Sequence, residues 1–268
     1  MNTITDAEFG RFQRFIYDAA GITLTPAKKA LVCGRLSKRL QAHSLSSYGA
    51  YFELLNSGRA ADEVQTAVDL LTTNETYFFR EPKHFELLRE LATAAAAAPR
   101  TQPFRVWSAA SSTGEESYSI AMVLADVLGP GGWEVVGSDI STRVLQRARA
   151  GHYPMERARN IPPAYLKRFC LKGHGEQEGT LLVERALRSR VSFAQVNLNA
   201  ELPRLGSFDI VFLRNVMIYF NGDTKRQVVA RVLGLLKPGG HFCIGHSESL
   251  NDISSAVEAL APSIYRKP

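Results

Sequence analysis

The sequence predicts a doubly wound α/β domain preceded by an all-helical domain, and three observations carry that prediction. The first 80 residues repeat apolar positions at helical spacing, with no strand-like alternation. From Phe104 onward, short apolar runs alternate with helical patterns. The rhythm changes behind five consecutive alanines, Ala94 to Ala98, and Pro99.

Helical periodicity runs through Phe9, Phe12, Phe15 and Ile16, through Leu31, Leu36 and Leu40, and through Val64, Val68 and Leu71. Between Ala19 and Phe52 the cations Lys28, Lys29, Arg35, Lys38 and Arg39 occur without any acid. At 100° per residue Lys28, Arg35 and Arg39 fall within about 40° of one another, flanked by Lys38. Val32, Leu36 and Leu40 take a different face. A stripe of one sign is either a solvated helix face or a docking surface for something anionic, and the missing acids favour docking.

Pro82 opens a further helix that runs into the alanines, read as a linker over 82–103. Phe104–Ala109, Trp133–Ile140, Val191–Val196, Phe208–Leu213 and His241–Gly245 read as strands. Glu115–Leu128, Ser141–Ala150 and Thr224–Leu236 read as helices, the last stopping at Lys237-Pro238-Gly239-Gly240. Residues 152–190 are far longer than an ordinary connection, and GHGEQEGTLLVERAL within them is turn-rich and then β-prone, so a small inserted β unit is expected there. The expected domains are 1–81, the linker 82–103, and 104–268 with the insert at about 152–190.

The 268 residues are 45% hydrophobic and 22% charged, enough to bury a full core. No stretch approaches the roughly 18 apolar residues of a membrane span. MNTITDAEF has early acids and no apolar run, so it is not expected to be a signal peptide, and a cytoplasmic protein follows. Cys33, Cys170 and Cys243 are widely spaced with no CxxC pair, so neither a disulfide frame nor a metal site is expected. A net charge of +6 favours acidic partners.

Ligands of doubly wound sheets sit at the carboxyl ends of strands. After the first strand comes SAASSTGEESYS, where small residues let a ligand approach the backbone. Gly114 is the one glycine of that loop, and Glu115 and Glu116 open the helix where a pyrophosphate would want bare N–H groups. The two acids suit a cationic ligand; the alternative is that they are plain helix-start residues. Asp139, ending the second strand, is placed to accept ribose hydroxyls, or else to cap the next helix. Asn197-Leu198 and Asn215-Val216 follow two further strands, and asparagine amides suit adenine edges or polar ligand groups. Thr72-Thr73-Asn74-Glu75-Thr76-Tyr77-Phe78-Phe79-Arg80 is an unusual polar block ending in aromatics and a cation; Asn74 and Thr76 suit a ligand, Arg80 a carboxylate.

LTTNETYFFR, WSAASSTGEESYSIAM, GSDIS, FLRNVMIYF and LLKPGGHFCIGHSES, in that order, resemble the CheR family of chemotaxis receptor glutamate O-methyltransferases, over about residues 5 to 266. The resemblance implies an all-α N-terminal domain and a Rossmann-like class I S-adenosylmethionine (SAM) methyltransferase domain carrying a small β-subdomain. It implies SAM contacts from Asn74, Thr76, Arg80, Glu115, Glu116, Asp139, Asn197, Leu198, Asn215 and Val216. It places Arg80 and Tyr219 at the reacting carboxylate and makes Lys28, Arg35, Lys38 and Arg39 the candidates for docking on receptor methylation helices. It implies a receptor C-terminal peptide at the β-subdomain as a further partner, and recruitment to receptor arrays.

A glutamate side chain is ionised at pH 7 and needs no general base to attack a methyl group, so no catalytic His, Cys or Ser triad and no metal are expected. A methyltransferase acting on nucleic acid is disfavoured, because no basic stretch interleaved with aromatics offers a stacking platform. A non-catalytic SAM-binding adaptor is the other alternative, and it predicts binding without turnover. No exposed heptad demands a dimer, so a monomer is expected.

Overall fold

The structure, a computed structural model, describes residues 3–97 and 99–268. The helical part comprises α1 (Asp6–Ala20), α2 (Lys29–Ala42), α3 (Tyr48–Asn56) and α4 (Ala61–Leu71). Thr5 and Glu8 close a capping box that starts α1: the Glu8 N–H donates to Thr5 Oγ1 at 3.2 Å, and the Thr5 N–H to Glu8 Oε2 at 2.8 Å. Phe12, Ile16, Leu36 and Tyr51 are fully buried in a core belonging to these four helices. Most of the periodic residues of the sequence supply that core, with Phe15 and Val64 only partly buried at its edge and Leu31 outside it.

Then follow α5 (Lys83–Ala96), β1 (Phe104–Ser108), α6 (Glu115–Leu128), β2 (Trp133–Asp139) and α7 (Thr142–Ala150). The insert holds β3 (His152–Pro154), α8 (Pro163–Phe169), β4 (Cys170–Lys172), β5 (Thr180–Val183) and α9 (Arg185–Arg188). The chain returns through β6 (Val191–Gln195), β7 (Phe208–Leu213), α10 (Gly222–Gly234), β8 (Leu236–Ile244), β9 (Glu258–Ala261) and β10 (Ile264–Arg266). The main sheet has seven strands in the order β6-β2-β1-β7-β8-β10-β9. β6, β2, β1, β7 and β8 are parallel, and β10 runs antiparallel between β8 and β9. Strand order reverses at β1, whose carboxyl end opens beside that of β7, the crevice where such sheets take ligands.

Each face of the sheet is covered. Ile120 and Leu124 of α6 pack on one face with Phe85, Leu88 and Ala92 of α5. Val228, Val229 and Val232 of α10 pack on the other with Trp107 and Val211. Trp107 ties three strands together: it stacks on Phe208 at 5.4 Å, and its indole N–H donates to Ser138 Oγ at 2.9 Å. Such a fully buried ring is worth several kcal/mol, about 3–5 on truncation to alanine.

Three expectations change here. The helix read as a linker is instead a layer of the sheet's core, because Phe85, Leu88 and Ala92 line its inner face. The Lys-Pro-Gly-Gly run lies inside β8, not between a helix and a strand. Pairing passes from Phe208↔Leu236 to Ile210↔His241, so Lys237–Gly240 bulge opposite Asp209 alone, and Lys237 Nζ reaches that carboxylate at 2.8 Å. β9 and β10 had no alternation to reveal them, β9 being exposed at all four positions. The insert forms an antiparallel sheet in the order β3-β5-β4.

The helical domain is seated on the carboxyl edge of the main sheet. The Thr23 N–H donates to Tyr219 O at 2.8 Å, Ile22 bridges Phe220, and Asn197 Nδ2 donates to Ala19 O at 2.7 Å.

Candidate active site

Between the helical domain and the strand ends lies an open cavity. Ala20, Ile22, Thr72 and Thr73 close it from the helical side. The loops after β1, β2, β6 and β7 supply the opposite wall. Of the residues expected at a cofactor, Asn74, Thr76, Arg80, Glu116, Asp139, Asn197, Leu198, Asn215 and Val216 all line it, and so does Tyr219.

Glu115 does not line it. Its side chain is 1% exposed and turns towards the insert, where Thr113 Oγ1 donates to it at 2.6 Å and Arg157 pairs with it at 3.3 Å. Burial raises its pKa, with the Thr113 hydrogen bond opposing. Adjacent helix residues point about 100° apart, so one acid of the pair faces the cleft and the other cannot.

Asp139 is 8% exposed, and both its oxygens are held: Oδ2 accepts the Ser112 N–H at 2.9 Å, Oδ1 the Ser141 N–H at 3.0 Å. Burial pushes its pKa up to about 6 against those hydrogen bonds. Each oxygen keeps acceptor capacity for a diol. Asn197 is engaged already, its amide N–H donated to Ala19 O and its Oδ1 accepting the Asn199 N–H at 2.9 Å.

The loop over 72–80 is fastened at several points. Ser112 Oγ donates to Asn74 O at 2.8 Å, Asn74 Nδ2 to Thr72 Oγ1 at 3.1 Å, and Ser119 Oγ accepts the Phe79 N–H at 3.0 Å. Phe79, Glu81, Ser112 and Asn215 all adopt positive φ around this cleft, a backbone cost tolerated where surrounding structure enforces it. Gly245 packs directly against Asn215: a Cβ on it would lie 2.4 Å from Asn215 Nδ2.

Three charged residues that matter to this cleft had no distinctive spacing in the sequence. The Arg214 side chain, 2% exposed, pairs with Glu81 and with Glu116 at 2.9 Å each and donates to Arg80 O. Glu116 also accepts from Ser108 Oγ at 2.7 Å. This buried group carries two carboxylates for one guanidinium, so its net charge is negative. His84 beneath it adds no cation, since burial, with Arg214 nearby, pushes its pKa down to about 3. Glu248 accepts three N–H groups, from Gly245 at 2.7 Å, Asn215 at 2.9 Å and Ile218 at 3.3 Å, and so shapes the turn that carries Asn215, Val216 and Tyr219.

The cationic stripe of α2 is only partly available. Arg35 donates to Leu71 O at 3.1 Å, Thr72 O at 2.9 Å and Thr73 Oγ1 at 3.2 Å, holding the loop that leads to Asn74. Arg39 pairs bidentately with Glu63 at 2.5 and 2.8 Å. Burial would raise the Glu63 pKa, but hydrogen bonds from Arg39, Tyr51 and His43 outweigh it and hold it at about 2. Lys28 and Lys38 are exposed. The missing acids of α2 were thus supplied from α4 and by backbone carbonyls, which spacing along one helix does not reveal.

A mostly parallel sheet with a buried acid at the β2 end and asparagines at the β6 and β7 ends fits a SAM-dependent methyltransferase, and the family matches give that class. Residues 7–72 match the CheR methyltransferase all-alpha domain, and residues 74–265 the CheR methyltransferase SAM binding domain. The chemotaxis protein methyltransferase of Escherichia coli K12 is 43% identical over 265 residues, covering 98% of this chain and 91% of that protein. That of Salmonella typhimurium is 41% identical over 265 residues, covering 98% and 90%. Chemotaxis protein methyltransferase 2 of Pseudomonas aeruginosa is 42% identical over 264 residues, covering 97% and 93%. The chain belongs to the CheR methyltransferase family.

Proposed function

We propose that the protein transfers the methyl group of SAM to glutamate carboxylates on the cytoplasmic methylation helices of chemotaxis receptors. The observation that carries this reading is the single cleft in which Asp139, Asn215, Glu116, Arg80 and Tyr219 converge. The cleft suits the cofactor: Asp139 keeps acceptor capacity for the ribose hydroxyls, and Glu116, held by Arg214, puts a carboxylate on the wall for a cationic ligand. Bound SAM supplies an electrophilic methyl on a sulfonium that departs as a neutral thioether.

The protein's own residues then have a positional task. Asn74, Thr76, Asn197, Leu198, Asn215 and Val216 line the cleft and would hold the cofactor. Arg80 and Tyr219 orient the substrate carboxylate in line with the methyl group. Alignment and exclusion of water supply several kcal/mol of the barrier reduction, about 7 or more in the best oriented systems. No residue has to remove a proton, because the carboxylate is already ionised.

Lys28, in the turn just before α2, and Lys38 on α2 are exposed cations that suit the acidic methylation helices. The edges of the insert, β3 and β4, each pair only with β5 within its sheet, and Leu171 on β4 is 51% exposed. That edge suits capture of a receptor C-terminal peptide as an added strand, which raises local substrate concentration. Among the described residues no helix is long and apolar enough to cross a membrane; we place the protein in the cytoplasm as a monomer recruited to receptor arrays. The test is methyl transfer to a receptor cytoplasmic fragment, beside the same fragment with its methylation-helix glutamates replaced by alanine. Transfer to the first alone supports the reading; equal transfer to both overturns it.

A further inference from the structure

The insert touches two of the loops that build the cleft, each time at a main-chain carbonyl. Tyr153, on β3, donates its hydroxyl to Thr113 O at 2.7 Å and meets the Phe78 ring edge-on at 5.1 Å. Gly114 must stay without a side chain beneath it, since its φ is +96° and a Cβ would lie 2.9 Å from the Tyr153 hydroxyl. Arg157, in the 3-10 turn Met155–Asn160, donates from Nη1 to Thr76 O at 2.8 Å and to Glu115 Oε1 at 3.3 Å. Thr76 lies in the loop carrying Asn74 and Arg80, which has no helix or strand of its own. The Arg157 side chain is 40% exposed and does not line the cavity.

We propose that Arg157 is a positioning residue for the cofactor. It acts through Thr76: fixing that carbonyl sets the register of Asn74, Thr76 and Arg80. It thereby makes the insert part of the cofactor site as well as a platform for the receptor. Glu115, excluded from the cleft, gains its role here as the buried acid that fixes the guanidinium. The inference rests on assigning the cavity to SAM.

The same contact has a structural side, since removing Arg157 leaves a buried carboxylate short of its cation. Three variants of the full chain separate the two roles. Arg157→Ala should raise the Kd for SAM about ten-fold, the scale of one charged hydrogen bond, and should also lower kcat at saturating SAM, because Arg80 shifts with the loop. Arg157→Lys should recover part of the affinity. Arg157→Ala combined with Glu115→Gln should restore thermal stability and still bind SAM weakly, because the Thr76 anchor is absent in both. Asp139→Asn serves as the control for the cavity. If Arg157→Ala binds SAM like the parent while Asp139→Asn does not, the positioning role is wrong and the cavity assignment stands. If Glu115→Gln restores the affinity fully, Arg157 is structural only and the proposal fails. If neither Arg157→Ala nor Asp139→Asn changes affinity, both readings fall together.

Discussion

Asp69, in the last turn of α4, caps α7, a helix 73 residues further along the chain. Its Oδ1 accepts the Thr142 N–H at 3.1 Å, and its Oδ2 accepts the Thr142 hydroxyl at 2.9 Å and the Arg143 N–H at 3.2 Å. A carboxylate at a helix N-terminus meets both unsatisfied N–H groups and the positive end of the dipole. The helical domain thus holds the corner that follows Asp139, so both domains shape the Asp139 end of the cleft. Asp69→Ala should destabilise the protein by about 1–2 kcal/mol, the scale of a lost cap, and weaken SAM binding as well. Urea unfolding with and without SAM checks this; unchanged stability would show that the cap is replaced by water.

Arg35 and the exposed Lys28 and Lys38 should separate cleanly in kinetics. Arg35→Ala frees the carbonyls of Leu71 and Thr72 and should raise the Kd for SAM, because the loop leading to Asn74 loses its anchor. Charge reversal at Lys28 and Lys38 should raise KM for receptor and leave SAM affinity alone. Steady-state kinetics with each substrate varied in turn distinguish them. An Arg35→Ala variant that keeps SAM affinity and loses only receptor affinity would restore the full docking stripe expected from the sequence.

Asp139 gives the cofactor site a pH dependence. Its pKa is raised to about 6 in the folded protein, mainly by burial, from 3.8. A raised carboxyl binds its proton more tightly folded than unfolded. Its contribution to stability is therefore greatest below about pH 4 and is lost as pH rises through about 6. In the proposed binding mode ribose hydroxyls would donate to the ionised form, so SAM binding would favour release of that proton. The affinity for SAM should fall as pH drops below about 6, and calorimetry in two buffers should register proton release there. Asp139→Asn should bind weakly with no such dependence.

Glu248 should be as important to turnover as the residues in the cleft. Glu248→Ala leaves the N–H groups of Gly245, Asn215 and Ile218 without their shared acceptor. We expect kcat/KM to fall more than about ten-fold, with Glu248→Gln intermediate. Kinetics of the two variants at matched folded fraction checks this, and parental kcat/KM in Glu248→Ala would remove Glu248 from the account.

Much of this architecture was legible because parallel strands buried on both faces write themselves as apolar runs, and the ends of those runs name the cleft. Asp139 and Asn215 stood out for that reason. What escaped the sequence was pairing across distance. Arg39 looks free along α2 until α4 brings Glu63 to it. Arg214 looks like a loop cation until Glu81 and Glu116 close on it. Glu115 and Glu116 are neighbours of one residue type, yet only Glu116 faces the cleft while Glu115 turns to Arg157. The bulge over Lys237–Gly240 hid the start of β8 behind turn residues.

The most direct test of the central claim is transfer from methyl-labelled SAM to a receptor cytoplasmic fragment, followed by mild base. A glutamyl methyl ester releases its label as volatile methanol, and the account predicts that transferred label does so. Label that is transferred and survives base would show a nitrogen acceptor and contradict the carboxylate mechanism.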